Sequence, residues 1–257
     1  MSSAEATKTL LDSSYTDFVK SCVNRPDHPR FITNVSHQSN LPLYHGPVVT
    51  INIGAASFEV SKTLLCKRSA YFEAMFNGNF KEGDDQSAEM EEVEGVVSVR
   101  SFHLLLQWLY LGRIVFNQEE GPEDRISVAL EFTRLADMLG IGNGVESEIA
   151  RHIKETILNN APKTYVIFES HIHHITTQHF YAAIRLPEGH LVRLLFARAA
   201  IGTYLHTKDF AKDIQELPEF GIDLLKELSI CLKTVTFERS SATFLDPFTG
   251  KRVTFRP

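Results

Sequence analysis

The chain has 257 residues, of which 43% are hydrophobic and 23% charged, values typical of an ordinary globular protein. Its formal net charge of -6 argues against a broadly basic face for nucleic acid, and no apolar run is long enough to span a bilayer. We therefore expect neither direct nucleic-acid binding nor a membrane segment. Three widely separated cysteines, Cys22, Cys66 and Cys231, indicate reduced thiols in an intracellular protein of the cytoplasm and/or the nucleus.

The amino-terminal third of the chain begins irregularly and then becomes β-prone. Residues 1–46 carry several prolines and polar residues without a sustained period, which predicts an irregular or partly helical lead-in. Residues 48–53 read VVTINI and are β-branched except for Asn52. Gly54 then supplies a turn into a second short strand at 57–61. This pattern predicts a β-hairpin.

Two helices with an acidic connection are predicted next. Apolar residues three and four apart indicate one helix that ends at Gly78, and a second helix is predicted over residues 96–112. The acidic segment 82–94 between them is interpreted as a solvated connector and edge strand, with a partner surface as the alternative. The apolar positions of the first helix are Leu64, Leu65, Tyr71, Phe72, Met75 and Phe76.

The strand pair, the helix KTLLCKRSAYFEAMFNGNFKE and the later LLLQWLYLGRI resemble, in this order, the BTB/POZ domain, and most closely its fungal members. The resemblance is strongest over residues 48–116 and continues through two more predicted helices, 126–139 and 145–158. It implies an α+β (mixed α/β) fold in which a small sheet is flanked by helices. The chain departs from many animal members, since Ser61 and Lys62 replace their His-Lys pair.

The carboxy-terminal part is predicted to be mostly helical. Segments 177–186, 190–205 and 220–232 have helical patterns. Of these, GHLVRLLFARAAIGTYL and LPEFGIDLLKEL resemble the helical tail that follows the domain in many fungal members. The last stretch, TFLDPFTGKRVTF, has a turn signal and predicts either a hairpin or a trailing segment. The sequence therefore predicts a lead-in at 1–46, a BTB/POZ-like domain at 47–160, an all-α extension at 161–238 and a tail or hairpin at 239–257.

The resemblance implies a non-enzymatic protein-interaction module that needs no cofactor. Many members are substrate adaptors that dock on a cullin scaffold of a ubiquitin ligase through an apolar residue, any residue and Glu just after the first helix. Phe80 and Glu82 match that pattern. Self-association as a homodimer would use Leu64, Leu65 and Tyr71 of the first helix. The alternative is an oligomeric scaffold or transcription-linked regulator without a ligase role.

A metal-dependent enzyme is the remote alternative, because four histidines crowd into the range from His171 to His179 and imidazole is a common base and metal ligand. No HExxH motif accompanies them, so we expect structural or solvated histidines, with no metal site and no catalytic residue. Cys66 is expected to be an inert thiol. Oxidation is the alternative there, because Lys62 and Lys67 would lower its pKa.

Overall fold

The computed structural model describes residues 44, 46–117, 119–142, 144–160, 173–207, 210–238 and 241–255. The predicted lead-in therefore lies almost entirely outside the described residues, as does His171. The backbone divides into two compact units, and the first is discontinuous in sequence. Unit 1 runs to Arg113 and includes Met138–Gly142, whereas unit 2 consists of Ile114–Asp137 and the chain from Asn143 onward.

A three-stranded sheet lies in unit 1. Strand β1 (Val48–Ile53) pairs antiparallel with β2 (Ala56–Ser61), which confirms the predicted hairpin. Strand β3 (Ser87–Met90) pairs parallel with β1 on its other side, so the order is β2-β1-β3. Gly54, with φ +55°, makes the turn between the first two strands. Alternate residues of β1, beginning with Val49, point into the core, as the period of two for a half-buried strand requires.

The helix predicted to run to Gly78 is two helices, α1 (Lys62–Arg68) and α2 (Ala70–Asn77). Ser69 separates them in an extended conformation, and its Oγ accepts a hydrogen bond from the Phe72 N–H at 3.2 Å. The same hydroxyl donates to the Leu139 carbonyl at 2.6 Å. The prediction of a single helix was wrong because a serine side chain can cap a new helix instead of continuing the old one.

The other two helices of unit 1 are α3 (Lys81–Asp85) and α4 (Val99–Leu111). Ser98 caps α4 at its start, and Gly112 ends it in the left-handed region with φ 65°. Phe102 of α4 is fully buried and lies 4.9 Å from the ring of Phe58 on β2. The predicted second helix is confirmed, and its apolar face closes the core over the sheet.

Unit 2 is mainly helical, as the sequence predicts for most of this region. Helix α8 contacts both α6 and α10, and the fully buried Phe180 ring lies 4.3 Å from that of Phe220. The helices are α5 (Pro122–Met138), α6 (Val145–Asn159), α7 (Thr177–Ala183), α8 (Leu191–Thr207), α9 (Ala211–Glu216) and α10 (Pro218–Leu232).

Two ion pairs join α8 to α10 inside unit 2. Arg193 donates from Nε to Oδ2 of the buried Asp223 at 2.5 Å, and from Nη1 to the carbonyl of Leu186 at 3.0 Å. Arg198 forms a two-pronged pair with Glu227, at 2.9 and 3.1 Å. Because guanidinium and carboxylate groups match in shape, these pairs fix how the two helices align.

The chain after α10 forms a three-stranded sheet, where the sequence left a hairpin or a trailing segment open for 239–257. Its first strand lies at the end of the extension predicted as all-α at 161–238. Strands β4 (Thr236–Glu238), β5 (Ser241–Leu245) and β6 (Arg252–Phe255) are antiparallel in the order β4-β5-β6. In the turn before β6, the carboxylate of Asp246 accepts the N–H groups of Phe248 and Thr249 at 3.2 and 3.1 Å. Phe248 is buried, so this turn contributes to the core of unit 2.

Candidate protein-binding surface

Phe80 is a large apolar side chain at the surface of unit 1. It precedes α3 in an extended conformation, and 57% of the residue is exposed. Its carbonyl accepts hydrogen bonds from the N–H groups of Gly83 and Asp84, at 2.9 and 3.4 Å. Since these bonds fix the backbone that follows Phe80, the ring is presented at the start of an ordered turn rather than on a free loop.

Two glycines allow the turn that carries Phe80 to sit against the end of α2. A Cβ added at Gly78 would lie 2.3 Å from the Ala74 carbonyl oxygen and 3.1 Å from the Phe80 ring. A Cβ at Gly83 would lie 3.0 Å from the Gly78 carbonyl oxygen. The absence of side chains at these positions is therefore what brings α3 close to α2.

Glu82 lies in the first turn of α3 and is half-buried, two residues beyond Phe80. Lys62 stabilises the carboxyl end of α2, because its Nζ donates a hydrogen bond to the Phe76 carbonyl at 2.9 Å. A cation at the carboxyl end of a helix is favourable. Lys62 thus has a structural role that the sequence pattern did not reveal, since its partner is a backbone carbonyl.

The three residues predicted for self-association are in different environments. Leu64 and Leu65 are 1% and 0% exposed, so both belong to the core of unit 1. Tyr71 is 44% exposed, and its ring meets that of Phe72 edge-on at 5.5 Å. Of the three, Tyr71 is the one that another molecule can contact. Helical periodicity identified all three as apolar positions, but it could not distinguish the two buried leucines from the exposed tyrosine.

The acidic segment after α3 contains the edge strand β3. Glu89 points outward from β3, between the buried Ala88 and Met90. Beyond the strand, Glu91 and Glu92 are exposed and line one side of an open groove of about 690 Å³. Charge at this edge discourages pairing with another strand, which agrees with the interpretation as a solvated edge.

The described histidines of the predicted cluster each have a local partner. His174 donates from Nε2 to the Asn160 carbonyl at 2.9 Å, and the exposed His173 packs its ring against that of His174. His179 is buried, with Nδ1 accepting the Thr176 N–H at 3.0 Å and Nε2 lying 2.9 Å from Ser127 Oγ. Within the described residues, no three His, Cys, Asp or Glu side chains are placed to share a metal ion.

The pair formed by Ser127 and His179 is not arranged as a nucleophile and its base. A neutral imidazole carries one proton, and Nδ1 must be bare to accept the Thr176 N–H. The proton is therefore on Nε2, which donates to Ser127 Oγ and cannot accept its proton. Burial also lowers the pKa of His179.

Cys66 is half-buried, and burial raises the pKa of its thiol although Lys62 acts in the opposite direction. The alternative of an oxidation-sensitive Cys66 assumed a lowered pKa and is wrong in that respect, because desolvation outweighs the nearby cation. Among the helices that the structure describes, none has both the length and the apolar character to cross a bilayer.

The family model of the BTB/POZ domain matches residues 48–147. Residues 48–147 are a BTB/POZ domain. The match begins at β1, includes the turn that carries Phe80, and ends inside α6; α7 to α10 and the second sheet follow the BTB/POZ domain. The predicted BTB/POZ domain and its mixed fold of a small sheet flanked by helices are confirmed over these residues.

Among solved structures, the chain is similar to the BTB domain of zebrafish PATZ1, with 23% sequence identity and a TM-score of 0.34. The aligned region covers 49% of this chain and 98% of the zebrafish one. The assignment depends on the family model. BTB/POZ domains are protein-interaction modules rather than enzymes, so the domain supports protein–protein interaction and oligomerisation.

Proposed function

We propose that this protein is an intracellular substrate adaptor, in which the BTB/POZ domain docks on a cullin scaffold of a ubiquitin ligase. The observation that carries the proposal is the exposure of Phe80, an aromatic side chain that the fold holds at the surface. In this view the domain predicted at 47–160 binds the ligase, and the helical extension at 161–238 presents the substrate. The resemblance supplies the partner class, and the geometry is compatible with it.

Phe80 and Glu82 have complementary tasks in such a contact. A phenyl ring entering an apolar pocket removes a large apolar area from water, and aromatic anchors of this kind commonly dominate binding energy. Glu82, two residues later, accepts a charge-assisted hydrogen bond that orients the ring. Because α3 is tethered closely to α2, little conformational entropy is lost when the contact forms.

The Phe80→Ala variant is expected to bind a purified cullin about 30-fold more weakly than the unsubstituted protein, the effect of losing about 2 kcal/mol at a central anchor. Glu82→Gln keeps the shape of the side chain and removes its charge, and we expect a loss of about tenfold. Isothermal titration calorimetry with the full chain measures both dissociation constants.

The matched control is Phe237→Ala, which removes a phenylalanine that is 83% exposed on β4 and outside the motif. Its affinity for the cullin is expected to stay within about twofold of the unsubstituted value. Equal affinities of the Phe80→Ala and unsubstituted proteins would contradict the assigned contact. Absence of cullin binding by the unsubstituted protein would contradict the adaptor function itself.

The second candidate function is an oligomeric scaffold or transcription-linked regulator without a ligase role. Tyr71 favours it, because an exposed aromatic on α2 suits a contact between two copies related by a two-fold axis. Aromatic residues are enriched at the centres of protein interfaces, where their apolar area is buried. This function needs no contact through Phe80.

Tyr71→Asp is expected to shift the protein from dimer to monomer, because each interface would then bury two uncompensated carboxylates. Size-exclusion chromatography with light scattering gives the mass directly. Leu225→Asp is the control, since Leu225 is 61% exposed on α10 in the other unit. A monomeric unsubstituted protein, or a Tyr71→Asp variant that remains dimeric, would contradict self-association through α2.

A further inference from the structure

Two buried histidines in unit 2 hold the first turns of consecutive helices. His179 is 3% exposed, and its Nδ1 accepts the backbone N–H of Thr176, the residue that caps α7. His190 is 8% exposed and precedes α8; its Nδ1 accepts the N–H of Val192 at 3.2 Å. Its own carbonyl accepts the Leu194 N–H at 3.0 Å, as expected for a residue at a helix start.

Both interactions require the neutral imidazole with its proton on Nε2. On that side, His179 donates toward Ser127 Oγ at 2.9 Å, and His190 faces Glu146 Oε1 at 3.6 Å. A proton added at Nδ1 turns the acceptor into a donor that points at a backbone N–H. The hydrogen bond is then lost. The new positive charge also lies beside the positive end of the helix dipole, which for α8 is unfavourable.

The carboxylates near each ring favour its protonation, but burial of the ring outweighs them. The backbone and carboxylate of Glu123, on α5, favour protonation of His179, but burial is the larger influence and lowers its pKa. Glu146 on α6 and Asp137 on α5 favour protonation of His190, and burial again lowers the pKa. From α8, the uncharged ring of Phe196 lies 6.3 Å from that of His179.

We propose that His179 and His190 form an acid-sensitive latch on the helical extension. At neutral pH the two Nδ1 acceptors hold the starts of α7 and α8, and acidification releases both turns together. The two turns follow the matched residues 48–147, whereas Ser127 and Glu146, which face the Nε2 atoms, lie within them. Phe80 takes no part in either interaction, so the proposal does not rest on the contact proposed for Phe80.

The direction of the effect follows from the preference of the fold for the neutral rings. An unfolded histidine has a pKa of about 6.5, and both folded values lie below it. Between these values the unfolded chain binds more protons than the folded one, so stability is complete above the unfolded pKa and falls with decreasing pH. Each histidine lowers the folding equilibrium constant by up to about tenfold per pH unit in this window.

The test replaces each ring by an acceptor that does not titrate. His179→Gln keeps a capping box with Thr176, and His190→Asn introduces a favoured N-cap residue. The H179Q/H190N protein and the unsubstituted full chain are compared by urea denaturation at about pH 7.5 and 5.5. His103 and His152, whose pKa values burial also lowers, titrate in both proteins and cancel in the comparison.

The unsubstituted protein is expected to lose more of its folding equilibrium constant over this pH range than the double variant, by a factor of up to about ten for each histidine. Hydrogen exchange should place the additional opening at the amides of Thr176 and Val192. Identical pH dependence of the two proteins would overturn the proposal. If the double variant does not fold, nitrogen chemical shifts of the unsubstituted protein decide: bare Nδ1 atoms at neutral pH support the latch, and protonated ones overturn it.

Discussion

Replacing Asp223 by alanine is expected to lower the free energy of unfolding by about 3–5 kcal/mol. Asp223 is 2% exposed and holds Arg193, whose side chain is 10% exposed, through a hydrogen bond of 2.5 Å. The substitution leaves the Arg193 guanidinium buried without its counter-charge. The cost of keeping this charge away from water is then no longer offset by the attraction to a carboxylate. Urea denaturation of the full chain, followed by circular dichroism, measures the change.

A solvent-exposed pair in the same unit provides the control. Lys212 and Glu216 lie 3.5 Å apart with 84% and 44% of their side chains exposed. Glu216→Ala is therefore expected to change the free energy of unfolding by less than about 0.5 kcal/mol. If Asp223→Ala were as mild as Glu216→Ala, the buried pair would not hold α8 to α10 in the manner that its geometry indicates.

Phe72→Ala is expected to destabilise the protein by about 3–5 kcal/mol, because it removes a fully buried ring and leaves a cavity. The Phe72 ring stacks on that of Phe76 at 6.1 Å within α2. Loss of this packing affects the helix on which the turn of Phe80 is built. The free energy of unfolding from urea denaturation gives the size of the effect.

The adjacent Tyr71 is a control that differs in burial rather than in position. Tyr71→Ala removes an aromatic ring of similar size from a site that is 44% exposed, so we expect a loss below about 1 kcal/mol. Similar losses for the two variants would mean that burial does not distinguish these neighbours, contrary to the structure. A Phe72→Ala protein of unchanged stability would exclude Phe72 from the core.

Much of the fold could be predicted from local patterns. Gly112 marked the end of α4 because it adopts a left-handed conformation there, and the β-branched run at 48–53 marked β1. The break at Ser69 could not be predicted in this way, since its hydroxyl is held by the carbonyl of Leu139, far along the chain. An edge strand was expected within the acidic segment 82–94, but the bounds of β3 could not be predicted, because its two buried residues, Ala88 and Met90, stand within a run of charges.

The sequence could predict which residues belong to the candidate surface, but not how exposed each of them is. The motif identified Phe80 and Glu82 from three consecutive residues, and the structure then showed how far each is buried. Periodicity treated Leu64 and Tyr71 alike, because it reports which side chains are apolar and not which are covered. The close packing at Gly78 depends on a backbone oxygen, which no sequence pattern reveals.

The hydroxyl of Ser69 also constrains the order in which unit 1 can assemble. Its hydrogen bond to Leu139 joins positions separated by 70 residues, and the intervening chain forms α2, α3, β3, α4 and the whole of α5. During synthesis, the corner between α1 and α2 cannot be completed until Leu139 has left the ribosome. Closing so long a loop lowers the conformational entropy of the chain before the contact contributes any stability. This corner is therefore expected to form late in folding. A chain shortened to Arg113 would lack the segment that completes it.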